Sequence, residues 1–425
     1  MARLALILAG ALVLRVLYTV LVADDIPVIG DALTYHLLGA GIADGHGFER
    51  AFHPQLEEFK NWVPGQPTAE HPPLFPLLIG LVTKLGATGY LSQKLAMCVV
   101  GTGTVALIGL AGRELGGATI GLVAAGIAAL YPFLWVVDGS LMSETLYGLF
   151  LAATLWLSIR FWRGPSLGLA AGVGALAALA ALTRGEALLL APLLLLPLAY
   201  RGGAAWRPRA VTAAVALGAF VLVLAPWTIR NLTVFDAPVL VSTNGSAVFV
   251  GSNCDPVYHG DFIGLWNFNC YGKAPSGDEA EQAAEYRGRG FDYARDHSGR
   301  VPLVMGVRFL RVWDVFKPGQ QASYEVLEGR SETASRLGLV MYYPLVLLAI
   351  AGAVLVRRRR WPLWPLLAFP VMVSLTAVLI YGVTRFRFAA EPALCVLAAV
   401  AVAAAASAMK TRVRAGISQS QSTPA

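Results

Sequence analysis

Charged residues are scarce in this chain of 425 residues. Asp, Glu, Lys and Arg together make up 14% of it, whereas hydrophobic residues make up 56% and the mean hydropathy is +0.62. Soluble globular proteins rarely have such a composition, so the sequence excludes that class. The formal net charge of +7 comes without a basic-aromatic recognition motif, and basic residues at the ends of membrane helices are its ordinary cause. We therefore expect a polytopic membrane protein with no nucleic-acid partner.

Cysteine is also rare, and no internal repeat is evident. The four cysteines, Cys98, Cys254, Cys270 and Cys395, include no CxxC pair, so their spacing does not indicate a metal site. Cys254 and Cys270 share one long polar region. If that region faces an oxidising compartment, a disulfide between them is expected, and two free thiols are the alternative.

Ten apolar segments predict membrane helices, since about 20 apolar residues are needed to cross a bilayer. They lie at 2–23, 90–112, 117–137, 141–159, 166–183, 186–200, 210–229, 337–356, 361–381 and 388–409. The first contains Arg15 and lacks a cleavage region, so we interpret it as an uncleaved anchor rather than a signal peptide. A further apolar run, Pro72 to Leu85, has only 14 residues.

Basic residues concentrate in short cytoplasmic loops and so mark the inner ends of membrane helices. These markers are Arg3, Arg113, Arg160, Arg163, Arg201, Arg207, Arg209, Arg357 to Arg360, Lys410, Arg412 and Arg414. The chain must cross an even number of times between two markers. The 72–85 run is therefore expected to dip into the outer face without spanning, and the charged 302–316 segment is expected to be an amphipathic helix on the interface.

The predicted fold is all-α, with about ten transmembrane helices and both termini in the cytoplasm. Two large regions, at about 24–89 and 230–336, are expected on the outer face. A single membrane domain over 1–410 is followed by a cytoplasmic tail over 411–425, whose composition predicts disorder.

Acidic residues gather on the predicted outer face. Asp31 opens a helix-like segment with Tyr35 one turn later, Glu70 and His71 precede the dipping helix, and Glu144 lies in the first turn of a span. Each also has an ordinary structural interpretation. Asp31 suits a helix N-terminus, Glu70 and His71 a solvated loop end, and Glu144 a capping box.

Four arginines lie on the same face, against the usual bias of basic residues toward the cytoplasm. They are Arg184, Arg230, Arg385 and Arg387. A guanidinium binds phosphate bidentately and stays charged in a low-dielectric setting, so this set indicates an anionic ligand. Arginines that extend individually toward the membrane surface are the alternative.

The outer-face Asp31 is followed in order by "EHPPLFPLL", "MSETLYGLF", "ALTRGEALLLAP", "APWTIRN" and "TRFRFAAEPAL". This series resembles the GT-C-type membrane glycosyltransferases over residues 1 to about 410. The resembling branch includes the dolichyl-phosphate-mannose protein mannosyltransferases and the aminoarabinose and galacturonic acid transferases of lipid A.

The resemblance implies a polyprenyl-phosphate sugar donor, with Asp31 as the catalytic base. The family's acidic-then-basic pair falls on Glu70 and His71, although some members carry Lys at the second position. Arg184, Arg230, Arg385 and Arg387 match the arginines that contact the donor phosphate, and Tyr35 and Glu144 are expected to support the site. No cofactor is certain, and a divalent metal at Asp31, Glu70 and His71 stays open because the ligand spacing is not recognisable.

The chemistry of these residues agrees with that expectation. A phosphate leaving group needs charge neutralisation, an acceptor hydroxyl needs a base, and one displacement with one base inverts the anomeric centre. We therefore expect an inverting transfer to a glycan, lipid or protein hydroxyl at the outer face of the plasma membrane. A transporter or lipid-linked-sugar flippase is the alternative, but transporters place their charges near the midplane within repeats. A non-catalytic scaffold is a further alternative.

Overall fold

The computed structural model describes residues 2–50 and 65–420, with side chains up to residue 411. Within this part of the chain the regular elements are helices, and the only β-pairing is an isolated bridge between Glu49 and Pro67. The helices are α1 (Ala2–Tyr18), α2 (Gly30–Ala43), α3 (Leu74–Lys84), α4 (Tyr90–Gly116), α5 (Ala118–Leu130), α6 (Glu144–Arg163), α7 (Leu167–Ala181), α8 (Leu196–Ala199), α9 (Trp206–Val234), α10 (Asn244–Gly251), α11 (Asp255–Tyr258), α12 (Glu279–Asp296), α13 (Val301–Val312), α14 (Pro318–Tyr324), α15 (Glu332–Arg358), α16 (Trp364–Leu379), α17 (Thr384–Arg387) and α18 (Glu391–Ser420).

Seven helical stretches in the described residues are long and apolar enough to cross a membrane. They are Ala2–Ala23, Tyr90–Gly116, Glu144–Arg163, Gly185–Gly202, Trp206–Val234, Glu332–Arg358 and Thr384–Thr411. The predicted all-helical, multi-pass membrane architecture is thus confirmed, and each of the ten predicted segments contains helix.

Three of the ten predicted segments form shorter helices, namely α5, α7 and α16. The 117–137 segment shows why. Helix α5 has 13 residues, which rise only about 20 Å. The chain then turns at Tyr131 and Pro132, and two buried 3-10 turns, Pro132–Leu134 and Val136–Gly139, complete the apolar run. Proline cannot continue the hydrogen bonding of a helix, so hydropathy alone overestimates the length of this one.

The predicted dipping segment forms α3, which is too short to span and packs on α2. Gly39 and Gly80 make this contact close. A Cβ on Gly39 would lie 2.5 Å from Ile79, and one on Gly80 would lie 2.9 Å from Ile42. Because both positions lack a side chain, α2 is held firmly against the helix that follows Glu70 and His71.

The 302–316 segment forms the 12-residue helix α13. Its charged residues Arg308 and Arg311 are buried and donate hydrogen bonds to main-chain carbonyls, including those of Ser252 and Ile263. These bonds attach α13 to the loop that contains the disulfide between Cys254 and Cys270. The charges that suggested an interfacial helix therefore also hold together the region predicted to lie on the outer face.

The last helix, α18, continues to Ser420, whereas the composition predicts disorder from residue 411. Residues 421–425 lie outside the described residues. The division between a membrane domain over 1–410 and a tail stays a prediction, as do the positions of the termini relative to the membrane.

Candidate active site

Asp31 and Arg385 meet although 354 positions separate them in the chain. Asp31 lies in the first turn of α2, where the helix dipole favours a negative charge, and its side chain is 32% exposed. Its Oδ2 accepts a hydrogen bond from Arg385 Nη2 at 3.2 Å. Arg385 lies in α17, the short helix that leads into the last membrane helix. The predicted base and one predicted phosphate ligand are therefore brought together.

Glu144 is the most buried acid of this site, with a side chain that is 1% exposed. Its Oε1 forms an ion pair with Arg184 Nη1 at 3.0 Å and accepts hydrogen bonds from Arg330 Nη2 at 3.3 Å and from Arg385 Nε. The preceding Ser143 makes no side-chain capping hydrogen bond to α6. A capping box is thus not formed, and the structural role of Glu144 is to hold three guanidinium groups in one place.

Two residues that the sequence did not indicate complete this cluster. Glu328 accepts from Arg385 Nη1 at 2.6 Å, and Arg330 joins Glu144 to Glu325. Both lie in "YEVLEGR", inside a polar region between membrane helices where charged residues are ordinary. The sequence offered one weak signal, since two acids and an arginine within six positions are unusual in a chain so poor in charge.

His71 lies between Asp31 and Tyr35. Its Nε2 is 3.9 Å from Asp31 Oδ1, its Nδ1 is 3.4 Å from the Tyr35 hydroxyl, and the two rings are 4.6 Å apart. Burial lowers the pKa of His71, which favours the neutral imidazole. Burial raises the pKa of Asp31, but His71, in the acidic range where it is protonated, and Arg385 lower it by more, so the carboxyl pKa falls below its ordinary value. Asp31 is therefore ionised at neutral pH, as a base must be.

Glu70 differs from Asp31 in both contacts and charge. No described side chain donates a hydrogen bond to its carboxylate, and burial together with the nearby carboxylates of Glu279 and Asp31 raises its pKa to about 8. Two neighbouring carboxyl groups thus differ in protonation at neutral pH, an arrangement suited to acid-base division of labour.

Glu279 fixes the loop that presents Glu70. This carboxylate accepts from Thr68 Oγ1 at 2.7 Å, from the Ala69 main-chain N–H at 2.9 Å and from Thr243 Oγ1 at 2.7 Å. Asn244 adds a bond from its main-chain N–H to the carbonyl of Glu70 at 3.3 Å. The second predicted outer region therefore positions the first.

Arg184 lies in the same cluster as Arg385, whereas Arg230 and Arg387 lie apart from it. Arg184 pairs with Glu186 at 2.6 Å as well as with Glu144. Arg230 donates to the carbonyls of Thr68 and Phe48, at 3.0 and 3.1 Å.

Arg387 is fully buried, pairs with Asp314 and with Glu391 at 2.8 Å, and lies 3.6 Å from the centre of the Tyr342 ring. Neither Arg230 nor Arg387 donates to Asp31 or Glu144. Their binding of a donor phosphate stays a prediction, and the structure gives both a different set of partners.

The structure groups one set of possible metal ligands within the described residues, Asp236, Asp278 and Glu281. Asp278 and Glu281 already form the capping box of α12, which explains their closeness. Asp31, Glu70 and His71 do not converge in this way, and whether they hold a divalent metal stays untested.

Known proteins resemble the chain in part of the sequence and in the fold. A family model described as "Dolichyl-phosphate-mannose-protein mannosyltransferase" matches residues 70–229, a range that includes Glu70, His71, Glu144 and Arg184. No curated protein matches the chain significantly.

Several solved structures match the fold. The oligosaccharyltransferase AglB from Archaeoglobus fulgidus, in complex with an inhibitory peptide and a dolichol-phosphate, matches with a TM-score of 0.55 and 13% identity over 100% of this chain and 52% of that one. The apo form of the A. fulgidus enzyme gives 0.51 and 14%, over 96% and 52%. The chain thus spans about half the length of these proteins.

ArnT from Cupriavidus metallidurans, bound to undecaprenyl phosphate, gives a TM-score of 0.42 and 17% identity over 94% of this chain and 77% of that one. The family match and the two stronger fold matches confirm the resemblance expected from the sequence. The chain has a GT-C-like membrane fold, and its residues 70–229 match the dolichyl-phosphate-mannose-protein mannosyltransferase family.

Proposed function

We propose that this protein is an inverting glycosyltransferase. It moves a sugar from a polyprenyl-phosphate donor to a hydroxyl acceptor at the outer face of the plasma membrane. The observation that carries this proposal is the 3.2 Å contact between Asp31 and Arg385. It joins a group that can accept a proton to a group that can neutralise a phosphate.

The reaction needs both groups at the same moment. The acceptor hydroxyl attacks the anomeric carbon and transfers its proton to Asp31, while the bond from that carbon to the phosphate oxygen breaks. The phosphate leaves as an anion, so the enzyme must stabilise negative charge and need not supply a proton. Arg385 and Arg184 are the proposed phosphate ligands, because both lie in the cluster organised by Glu144.

The remaining site residues have supporting roles in this proposal. His71, held by Tyr35, keeps the side chain of Asp31 oriented. Glu70, protonated at neutral pH, donates a hydrogen bond to the acceptor. The seven long apolar helices supply the surroundings that a polyprenyl chain requires. AglB of A. fulgidus was solved with a dolichol-phosphate, which supports a lipid-linked donor for a protein with the same fold.

A transfer assay with purified protein tests this function. The protein is incubated with polyprenyl-phosphate hexoses and pentoses and with an extract of envelope glycans, lipids and proteins. Mass spectrometry then follows free polyprenyl phosphate and the glycosylated product. Mass spectra of envelope material from a deletion strain identify the acceptor class to supply. Movement of intact donor across vesicle membranes, without cleavage of any donor, would contradict the proposal and support the flippase alternative.

A further inference from the structure

Every nitrogen of the Arg385 guanidinium donates to a carboxylate. Nε donates to Glu144, Nη1 to Glu328 at 2.6 Å and Nη2 to Asp31 at 3.2 Å. A phosphate can therefore bind Arg385 through its planar edge only after one carboxylate withdraws. This step rests on the function proposed above, in which Arg385 binds the donor phosphate.

Burial distinguishes the three carboxylates. The side chain of Glu144 is 1% exposed and also holds Arg184 and Arg330, so its withdrawal would remove a counter-charge that three guanidinium groups share. Asp31 has to stay, because it is the proposed base. Glu328 is 27% exposed and has no other ion-pair partner among the described residues. Glu328 is therefore the carboxylate that can leave at the lowest cost.

The backbone around Glu328 is suited to such a movement. Glu328 ends the short 3-10 turn Glu325–Glu328, and Gly329 follows with a φ of +69°, a conformation that favours glycine. Both sides of the turn are anchored. On one side the buried Arg330 forms an ion pair with Glu144, and on the other the Tyr324 hydroxyl donates a hydrogen bond to the carbonyl of Trp266 at 3.1 Å.

Within the turn, Glu325 is 2% exposed and pairs with Arg330, so the poorly buried part is the middle of the turn. The apolar side chains of Val326 and Leu327 are 41% and 59% exposed. A short segment with little buried surface between two fixed points can open at low cost without disturbing the rest of the fold.

We propose that the Glu328 carboxylate occupies the donor-phosphate position on Arg385 in the resting enzyme, and that the donor phosphate displaces it. Glu328 is then a positioning residue. It satisfies a buried guanidinium while no donor is bound, and it makes every anionic ligand compete for Arg385. Repulsion between the phosphate and the Glu328 carboxylate drives the turn outward as the donor enters.

The test measures binding of a polyprenyl phosphate to the purified full-length chain in detergent, by titration calorimetry. Glu328→Gln keeps the shape of the side chain but removes its charge, so we expect the dissociation constant to fall by about tenfold, equivalent to about 1.4 kcal/mol. Glu328→Asp shortens the side chain by one methylene and loosens the contact with Arg385, so it is also expected to bind more tightly. Glu332→Gln is the matched control, because the Glu332 side chain is 42% exposed and its partners among the described residues are Arg336 and Ser323. Its affinity should equal that of the wild type.

Three results would overturn the inference. Unchanged or weaker binding by folded Glu328→Gln and Glu328→Asp, with wild-type binding intact, would show that Glu328 does not compete with the phosphate and would leave the proposed function standing. If Glu332→Gln gained as much affinity for polyprenyl phosphate as Glu328→Gln, the effect would be one of general charge and not of competition at Arg385. Absence of binding by the wild type would remove the proposed function and this inference together.

Discussion

Glu144 and Arg385 are joined by a hydrogen bond in which neither side chain is more than 8% exposed. A buried charge is costly unless it is paired, and Glu144 pairs with three guanidinium groups at once. The carboxylate therefore fixes the positions of Arg184, Arg330 and Arg385 before any ligand arrives. Because these arginines are held in advance, the electrostatic effect that the proposed function assigns to Arg184 and Arg385 needs no rearrangement among them.

Replacing Glu144 should lower the free energy of unfolding by more than the loss of a single ion pair would. Glu144→Gln removes a negative charge shared by three guanidinium groups, of which those of Arg330 and Arg385 are buried, so we expect a loss of about 3 to 5 kcal/mol in the free energy of unfolding. Thermal unfolding in detergent measures it. Glu285→Gln is the control. It removes an exposed ion pair with Arg289 and should lower the free energy of unfolding by less than about 1 kcal/mol. Equal stability of the two variants would contradict the role assigned to Glu144.

Arg385→Lys tests the guanidinium itself. Lysine keeps the charge but cannot reproduce the planar arrangement of donors, so donor binding should weaken by about one to two decades, the equivalent of about 1.5 to 3 kcal/mol. Titration with a polyprenyl phosphate provides the measurement. Arg336→Lys changes an exposed arginine that pairs with Glu332 and should bind like the wild type. Unchanged affinity in Arg385→Lys would remove Arg385 from the phosphate site.

The raised pKa of Glu70 predicts that the stability of the folded chain depends on pH. Burial, Glu279 and Asp31 raise its pKa from 4.5 to about 8 in the folded chain, so the folded state binds the Glu70 proton more tightly than the unfolded state does. This stabilising contribution is complete below pH 4.5 and is lost as the pH rises to about 8. Glu70→Gln cannot lose a proton, so its thermal midpoint should decline less than that of the wild type over this range. Parallel curves for the two proteins would contradict the raised pKa.

The proposed sidedness is testable with cysteine labelling. Thr88 and Gly319 are exposed positions in the two predicted outer regions. An impermeant thiol reagent added to intact cells should label Thr88→Cys and Gly319→Cys. Arg359→Cys, in the predicted cytoplasmic loop between α15 and α16, should react only after the membrane is opened.

The background for this labelling is low, because Cys98 and Cys395 are buried and Cys254 and Cys270 form a disulfide. The wild type is therefore an unlabelled control. Labelling of Arg359→Cys in intact cells would contradict the predicted topology. So would labelling of Thr88→Cys and Gly319→Cys only after the membrane is opened.

The sequence predicted the membrane helices because a long apolar run has few other structures available in a bilayer. It failed at Pro132, where an apolar run bends into buried turns, since hydropathy does not distinguish a helix from a buried turn. Asp31, Glu144 and Arg385 could be predicted because charges are rare in this chain and their local motifs resemble a known family. Glu328 and Arg330 could not, because Glu328 pairs with Arg385 of α17 and Arg330 with Glu144 of α6, and both contacts join residues that are far apart in the chain. The different placement of Arg387 could not be predicted for the same reason. Arg387 lies two positions from Arg385, but it pairs with Asp314 and Glu391 in a separate buried cluster.

The most direct test of the proposed mechanism is the turnover of Asp31→Asn, measured alongside donor binding in the same purified preparation. Asn keeps the shape of the side chain and its hydrogen-bonding capacity but cannot accept the acceptor's proton. We expect sugar transfer from a polyprenyl-phosphate donor to fall by about 10²- to 10⁴-fold, while polyprenyl phosphate binds at least as tightly as to the wild type. Turnover close to that of the wild type would contradict the assignment of Asp31 as the base and would direct the search to Glu70 and Glu144.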